Sequence, residues 1–464
     1  MGFALELARR VTALKFEDLP PEAVHWAKVG ILDTVGVTLA GSGDPSATIV
    51  GGVLSSGGKS LILGTPKRTG ALDAALVNGT ASHALDFDDC NNTLGGHPSA
   101  PILPALFALA DEIGASGRDF ITAYVAGFET ECKISMGVNF YQYTRGWHPT
   151  TTIGVFGAAA ACAKLLELDD ERTATALAIA ASLASGIKSN FGTYVKPLHI
   201  GHCARNGLFA ALIARDGYTA SPVAFEHKQG YFEVFNGAGN YDAAKILPAW
   251  GKPFDIVTPG IAIKQYPCCG STHPAIDAML DLVRRHDVKP EAVERIQSWT
   301  HTRRLEHTNR PDPQSTKDAK FSVQYCLARA LLDRKVAIEH FEGDAYKDPE
   351  TRRITALVQA APYTTEQFPA ENHFGAEVKV TLRGGTVLEA KVDQPAGRTS
   401  EVALPQERLR EKFENCANRA IPAEATAAVY AAIMGLDTLA DVRSVNNAMT
   451  AESRPRRTQS PVRA

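Results

Sequence analysis

Apolar residues recur at helical spacing through the first 266 positions of the chain. At the start, Leu7, Val11 and Leu14 fall on one face of a helix, with charged residues between them. Alanine and glycine repeat at a similar period in later segments such as TTIGVFGAAAACAKLL. Small side chains let helices approach closely, so this pattern predicts a large bundle of packed helices.

The pattern changes after KQYPCCGSTH, where alternation typical of β-strands appears. AEVKVTLRGGTVLEAKVDQP predicts a hairpin, because Val378, Val380 and Leu382 alternate with other residues ahead of a Gly-Gly turn. ERIQSWTHTRR predicts a strand and KFSVQYCLARALLDRK a helix, and the segments after position 400 return to a helical pattern. We therefore predict a mainly α protein with a large all-helical domain (1–266 and 401–450) and a smaller α+β domain (267–400).

Length and charge exclude several classes of function. A chain of 464 residues exceeds one ordinary core, which agrees with two domains. Lys and Arg number 48 against 51 Asp and Glu, and a formal charge of −3 gives no electrostatic case for nucleic acid or an anionic membrane. The apolar stretches are too short to cross a bilayer and the start lacks a secretory signal, so we expect a cytoplasmic protein. The basic tail, 451–464, is expected to be disordered.

Two kinds of motif are absent from the sequence. The eight cysteines form no C-x-x-C pair, so neither a zinc site nor a thioredoxin-like motif is indicated, and we expect mostly free thiols. GGVLSSGGKS has Val53 where a phosphate loop needs its first glycine. No nucleotide is therefore expected.

The segment HALDFDDCNNTLGGHPS, residues 83–99, concentrates titratable side chains. It holds Asp86, Asp88, Asp89 and His97, with two glycines just before the histidine. Its spacing matches no calcium loop or zinc pattern. Three interpretations stay open: a divalent cation site, a set of helix caps, or a bend in which the glycines let His97 return toward Asp86.

Three further Pro/Gly-rich segments place cationic or titratable side chains ahead of helices. They contain His148 in GWHPTTTIGVFG, Lys196 in FGTYVKPLHIGHCARNG, and Lys264 with His273 in KQYPCCGSTHPAID. Lysines and histidines attract carboxylates, and a histidine beside an aspartate can transfer a proton near neutral pH. The residues therefore favour proton transfer next to a carboxylate, a step with which elimination, decarboxylation and epimerisation all begin.

Taken in order, five blocks resemble the MmgE/PrpD family over nearly the whole chain apart from the tail. The blocks are HALDFDDCNNTLGGHPSAPILPALFALAD, GWHPTTTIGVFGAAAACAKLL, FGTYVKPLHIGHCARNGLFAALIA, KQYPCCGSTHPAID and AKFSVQYCLARAL. The family includes 2-methylcitrate dehydratase, cis-aconitate decarboxylase and iminodisuccinate epimerase. The resemblance implies a large helical domain with a smaller α+β lid domain and a homodimer. It also implies a site in the cleft between the domains that requires no metal or organic cofactor.

The resemblance also assigns residues to the site. Lys196 and Lys264 are expected to hold carboxylates. His97 and His148 are the acid and base candidates. Two further residues are expected to be catalytic: Asp86, which would orient a histidine, and His273. Tyr325, in the family's FS-x-x-Y pattern, is expected to contact the substrate.

Two other residues are expected to bear on the choice of substrate. Cys90 stands where cis-aconitate decarboxylases carry threonine after DFDD, and the loop that follows is glycine-rich and a residue longer. We expect Cys90 to line the substrate site without a catalytic role. Tyr143, in FYQYTRGWHPT, is with Lys264 a candidate for the two proton-transfer groups that epimerisation needs.

The resulting hypothesis is a cofactor-independent enzyme acting on a small di- or tricarboxylate. A lyase of the 2-methylcitrate dehydratase or cis-aconitate decarboxylase type is favoured. The alternatives are an epimerase of an amino- or imino-dicarboxylate and a catalytically silent homologue that binds a carboxylate.

Overall fold

A computed structural model describes residues 2–55 and 57–450, so the predicted disordered tail lies outside the described residues. The described chain divides into two compact units. The first comprises the residues up to Ile261 and those from Arg410 onward, and the second is Ala262–Leu409. The boundaries predicted from the sequence pattern follow residues 266 and 400, which differ from these by five and nine positions.

The first unit is built almost entirely of helices. Its bounds, in chain order, are α1 Phe3–Ala13, α2 Pro21–Gly41, α3 Pro45–Gly52, α4 Ala71–His83, α5 Ser99–Ile113, α6 Gly117–Val138, α7 Tyr141–Arg145, α8 Pro149–Thr152, α9 Gly154–Leu165, α10 Asp170–Leu183, α11 Val195–Arg215 and α12 Tyr231–Asn236. A two-stranded antiparallel ribbon, β1 Ser60–Leu61 and β2 Arg68–Thr69, lies between α3 and α4.

Glycines let the central helices of this unit pack backbone to backbone. A Cβ atom at Gly79 of α4 would lie 2.8 Å from the Cα of Gly201 in α11, and one at Gly201 would collide with the carbonyl oxygen of Leu76. In the same way, a Cβ at Gly127 of α6 would lie 2.8 Å from that of Ala161 in α9. The predicted close packing through small residues is therefore present, and it brings the end of α4 beside the start of α11.

The second unit combines helices with one mixed sheet. Its helices are α13 His273–His286, α14 Thr302–Thr308, α15 Thr316–Lys320, α16 Val323–Asp333 and α17 Pro349–Thr355. Its strands are β3 Val293–Thr300, β4 Val358–Pro362, β5 Ala376–Leu382 and β6 Val387–Val392. They lie in the order β4-β3-β5-β6, with β3 parallel to β4 and the other pairs antiparallel. The last helices of the chain are α18 Gln406–Ala417, α19 Ala423–Met434 and α20 Arg443–Ala448.

The predicted hairpin is present as β5 and β6, with Val378 opposite Ala390 and Val380 opposite Leu388. Gly384 and Gly385 both adopt positive φ angles, 105° and 89°, which side chains strongly disfavour. Val378 and Val380 are fully buried against α13 and α16. The strand predicted over ERIQSWTHTRR is shorter than expected, because helix α14 begins at Thr302 with the His301 side chain accepting from the Arg303 amide.

The fold class predicted from the sequence, mainly α with a smaller α+β unit, is confirmed. All eight cysteines carry free thiols, as expected. Within the described residues, no helix combines the length and the apolar character that a membrane crossing requires.

Candidate active site

The loop between α4 and α5 folds back on itself and returns His97 toward the start of the loop. Asn91 and Gly96 pair as an antiparallel bridge, and the turn between them uses a positive φ of 64° at Gly95. Asp86 also adopts a left-handed conformation, with φ of 53°, which aspartate tolerates better than most residues. The Nε2 atom of His97 lies 3.6 Å from the Asp86 carboxylate, so the predicted return of this histidine is present.

Asp88 lies at the centre of the site, between two histidines. Its carboxylate is 2.9 Å from Nδ1 of His83, the last residue of α4, and 3.0 Å from Nδ1 of His97. Asp88 and His83 are completely buried, and the two imidazole rings meet edge to face with centroids 4.5 Å apart. We call this arrangement the His83–Asp88–His97 chain.

The His83–Asp88–His97 chain keeps a proton on the imidazole of His97. Burial alone would lower the pKa of His97, but the Asp88 carboxylate and Cys90 outweigh it and raise that pKa to about 10. Burial dominates at His83 and lowers its pKa to about 4 despite Asp88. The pKa of Asp88 is held well below its ordinary value, because the two histidines outweigh the effect of burial. At neutral pH, His97 is therefore protonated, His83 is neutral and Asp88 is ionised.

A lysine and a second carboxylate adjoin this chain. Lys196, near the N-terminus of α11, places its Nζ atom 3.2 Å from the Asp86 carboxylate and 5.4 Å from the centre of the Phe191 ring. The side chains of Asp86, Lys196 and His97 are 26%, 17% and 12% exposed, whereas that of Asp88 is fully enclosed. The first three side chains are therefore open to a ligand, whereas the Asp88 carboxylate contacts His83 and His97.

His148 lies on the other side of His83, at the start of α8. Its ring centroid is 6.2 Å from that of His83 and 4.8 Å from that of Phe191. Its Nδ1 atom is 3.3 Å from Nδ1 of His199. Burial, followed by the charge of Lys196, lowers the pKa of His148 well below its ordinary value. A neutral His148 thus accompanies a protonated His97.

The acidic segment also contains a contact at the end of a helix. The bend predicted for this segment therefore applies to Asp86 and His97, and the predicted helix-end role applies to Asp89. Asp89 accepts hydrogen bonds from the amide and hydroxyl of Ser99, the first residue of α5. The Ser99 hydroxyl also lies 2.6 Å from the Tyr124 hydroxyl. Burial raises the pKa of Asp89 well above its ordinary value, against the effect of Ser99. Asp89 therefore contacts the start of α5, whereas Asp86 and Asp88 contact the ionisable groups of the candidate site.

Cys90 and Tyr143 occupy different surroundings. The half-buried Cys90 places its Sγ atom 3.8 Å from Nδ1 of His97, so it adjoins the acid candidate. Tyr143 lies in α7 with 42% of its surface exposed, and its ring centre is 3.3 Å from Nζ of Lys188. A substrate contact at Tyr143 stays a prediction.

The remaining predicted residues belong to the second unit. His273 is the first residue of α13, is buried, and packs edge-on to Tyr266 with centroids 5.2 Å apart. Tyr325 lies in the core of this unit and its hydroxyl donates to the His340 carbonyl at 2.5 Å. Lys264 is half-buried shortly after the unit begins. The hydrogen bond of Tyr325 gives it a structural role, and the roles predicted for all three at the site stay predictions.

Four residues also offer ligand atoms suited to a divalent cation. One atom from each of His83, Asp86, Asp88 and His97 lies within 4.8 Å of the others. The distances of 2.9 and 3.0 Å between Asp88 and the two imidazoles are those of hydrogen bonds, so protons already link these groups.

The contact of His83 with Asp88 was not predicted from the sequence, and Asp88 was not distinguished there from its acidic neighbours. His83 ends a predicted helix, where a single histidine is most often structural, and the sequence carries no mark of its contact with Asp88. The signal that could have found the pair is the five-residue interval from the helix end to an aspartate in a tight turn. That interval lets the loop bring a carboxylate back onto the last helical residue.

An enclosed carboxylate between two histidines, next to a lysine–aspartate pair, forms a candidate acid–base site on a mainly α scaffold. The chain belongs to the MmgE/PrpD family. The N-terminal domain of that family matches residues 5–244 and the C-terminal domain matches residues 266–436. The family predicted from the sequence is therefore confirmed.

Relatives with an assigned activity are similar over nearly their whole length. The cis-aconitate decarboxylase of Homo sapiens is 29% identical, with 97% of this chain and 94% of the relative covered. That of Mus musculus is 28% identical, with 94% and 90% covered. The cis-aconitate decarboxylase of Aspergillus terreus is 26% identical, with 95% and 94% covered. All three bear the name of a lyase.

Proposed function

We propose that this protein is a lyase that decarboxylates a small tricarboxylate of the cis-aconitate class without an organic cofactor. The observation that carries the proposal is the His83–Asp88–His97 chain, which keeps a proton on His97 beside Asp86 and Lys196. The names of the relatives support the substrate class.

Substrate binding would use the positive charges of Lys196 and His97. In the free protein, Asp86 lies against both of them, at 3.2 Å and 3.6 Å. A substrate carboxylate that replaces Asp86 at Lys196 gains a charge-assisted hydrogen bond in a partly buried place. Lys264 and His273 of the second unit are proposed to contribute to substrate binding on the resemblance alone.

Decarboxylation requires a place for electrons and a source of one proton. When the bond to one carboxylate breaks, CO₂ leaves and the electron pair passes into the double bond conjugated with a second carboxylate. The charge of Lys196 would stabilise this carbanion. The Nε2–H of His97 would then protonate carbon, and His97 would regain a proton from water, so that one proton is consumed for each CO₂ released.

Asp88 and His148 have supporting roles in this scheme. Asp88 stays ionised throughout, because its enclosed carboxylate is paired with both histidines. The neutral His148 would orient the substrate or accept a proton. Cys90, next to His97, would contact the substrate and influence which tricarboxylate is accepted.

The test is proton NMR of the purified protein with cis-aconitate in deuterium oxide. We expect CO₂ release with one deuterium entering the product at carbon for each CO₂. 2-Methylcitrate and iminodisuccinate, assayed in parallel, distinguish the alternatives. Loss of water identifies a dehydratase, deuterium exchange without CO₂ release identifies an epimerase, and no reaction of any carboxylate favours the silent homologue. Each of these three outcomes would contradict the proposal.

Two expectations from the resemblance stay predictions. A homodimer would appear as twice the chain mass in light scattering. Fractionation of the source cells would test the cytoplasmic location.

A further inference from the structure

A cluster of cationic side chains in the second unit surrounds one aromatic ring. The guanidinium carbons of Arg304, in α14, and Arg398, after β6, each lie 4.3 Å from the centre of the Phe374 ring. Cation–π contacts of this kind hold each guanidinium over the face of the ring. We call Arg304, Arg398 and Phe374 the arginine clamp.

Arg304 is fixed by neutral acceptors. Its Nε atom donates to the His373 carbonyl, and its Nη1 atom donates to the Ser271 hydroxyl at 3.3 Å. Ser271 is buried and its hydroxyl also lies 3.0 Å from Nε2 of His307. Among the residues that the structure describes, no carboxylate forms an ion pair with Arg304. A guanidinium held by a carbonyl, a hydroxyl and a ring keeps its full positive charge uncompensated.

Arg304 has a second guanidinium as a close neighbour. Burial and then the neighbouring Arg398 lower the pKa of Arg304 to about 10. His373, whose carbonyl accepts from Arg304, also places its Nδ1 atom 3.1 Å from Nε2 of His301. A half-buried guanidinium that has no carboxylate partner among the described residues, as at Arg304, favours the approach of an anion.

We infer that the arginine clamp, with Ser271, binds a small oxyanion through a carboxylate or phosphate group. The planar fork of arginine matches the two oxygens of either group, and the Ser271 hydroxyl supplies a further polar contact. The inference concerns residues of the second unit alone and does not depend on the reaction proposed above.

The test is isothermal titration calorimetry of the full chain with inorganic phosphate and, separately, with citrate. We expect saturable binding of at least one anion, weakened ~10-fold or more in Arg304→Gln, because a hydrogen bond to a charged group is lost. Arg303→Gln is the matched control, since this neighbouring arginine is exposed, and it should bind like the wild type. Circular dichroism confirms that each variant is folded.

Further variants separate the clamp from the first unit. Lys196→Ala should bind phosphate unchanged, whereas anion binding lost in Lys196→Ala and retained in Arg304→Gln would overturn the inference. If Arg304→Gln does not fold, Ser271→Ala, which keeps both charges, should still weaken binding severalfold. Phosphate binding without citrate binding identifies a phosphate ligand, and the reverse identifies a carboxylate. The absence of saturable heat with either anion would also overturn the inference.

Discussion

The two units treat buried positive charge in opposite ways. In the first unit, each cation of the site has a carboxylate: His97 pairs with Asp88 at 3.0 Å, and Lys196 pairs with Asp86 at 3.2 Å. In the second unit, Arg304 lies beside Arg398, and its hydrogen-bond partners among the described residues are a carbonyl and a hydroxyl. Internal pairing fixes the position of a proton, as acid–base chemistry requires. Uncompensated charge instead favours an anion supplied from outside, so the comparison contrasts the proposed reaction site with the inferred binding site.

The largest expected effect on turnover comes from removing Lys196, the lysine of the candidate active site. Lys196→Ala should reduce turnover of the substrate found by NMR by ~10²–10³-fold, because the charge that stabilises the carbanion is removed. Steady-state kinetics measures this change. Lys245→Ala, at an exposed lysine of the same unit, is the control and should keep wild-type turnover. Kinetics of Lys196→Ala equal to those of the wild type would remove this residue from the site.

Removing the enclosed carboxylate should reduce activity and move its pH dependence. In Asp88→Asn, the charge that raises the pKa of His97 to about 10 is absent, so burial lowers that pKa. Wild-type turnover should persist as pH rises until it reaches the pKa of His97, whereas the variant should lose turnover at lower pH. We expect ~10²-fold lower kcat at neutral pH.

The pH profile distinguishes this positioning role from simple damage to the fold. Asp88→Glu should recover part of the activity and keep the alkaline position of the profile. Asp216→Asn, which changes an exposed aspartate, serves as the control. An Asp88→Asn profile that keeps its shape at a uniformly lower rate would contradict the proton-holding role.

The pairing of His97 with Asp88 also makes the free energy of unfolding depend on pH. The contribution of His97 falls as pH rises, and that of Asp88 falls as pH drops. The raised pKa of His97 contributes stability below its unfolded value near 6.5, and this contribution is lost as pH rises toward about 10. The lowered pKa of Asp88 contributes stability above its unfolded value near 3.8, which is lost as pH falls below that value.

A moderate effect is expected where the two central helices meet, because their approach places Lys196 beside Asp86. Gly201→Ala should lower the free energy of unfolding by ~1–3 kcal/mol, since the new Cβ collides with the Leu76 carbonyl of α4. Gly51→Ala is the matched helical control, because the nearest atom to its Cβ, on Val77, would be 3.7 Å away. Urea denaturation measures both, and equal stability of the two variants would show that the helices can separate at little cost.

Local patterns were sufficient to predict most of the fold. The Gly-Gly turn and the alternation at Val378 and Val380 specify the β5–β6 hairpin, and small residues at helical spacing indicate closely packed helices. The end of β3 at Thr300 was not predicted, because threonine and arginine occur in both strands and exposed helices. The helix cap formed by the His301 side chain decides the boundary there, and a histidine is an unusual cap.

The candidate site was predicted only in part, since its central contacts join distant segments. Asp86, His97, His148 and Lys196 carry signals in their own loops, and the structure brings them together around Asp88. The partnership of His83 with Asp88 depends on the three-dimensional return of the loop. Nothing in the sequence marks Arg304 as uncompensated, because an ion pair or its absence is decided by packing.

The smallest expected effect is that of metal removal, for which we expect no change. This experiment tests whether protons or a cation link the histidines and aspartates of the candidate active site. His83, Asp86, Asp88 and His97 could ligate a divalent cation by position. A metal, however, binds only deprotonated imidazole, and Asp88 holds a proton on His97 with a pKa of about 10. At pH 7, displacing that proton weakens cation binding by about three powers of ten. Exhaustive dialysis against EDTA should therefore leave turnover unchanged, with metal content followed by mass spectrometry. Activity that is abolished by EDTA and restored by one metal would show that a cation, and not a proton, links Asp88 to His97. The first unit would then bind a metal ion where the arginine clamp of the second unit binds an anion.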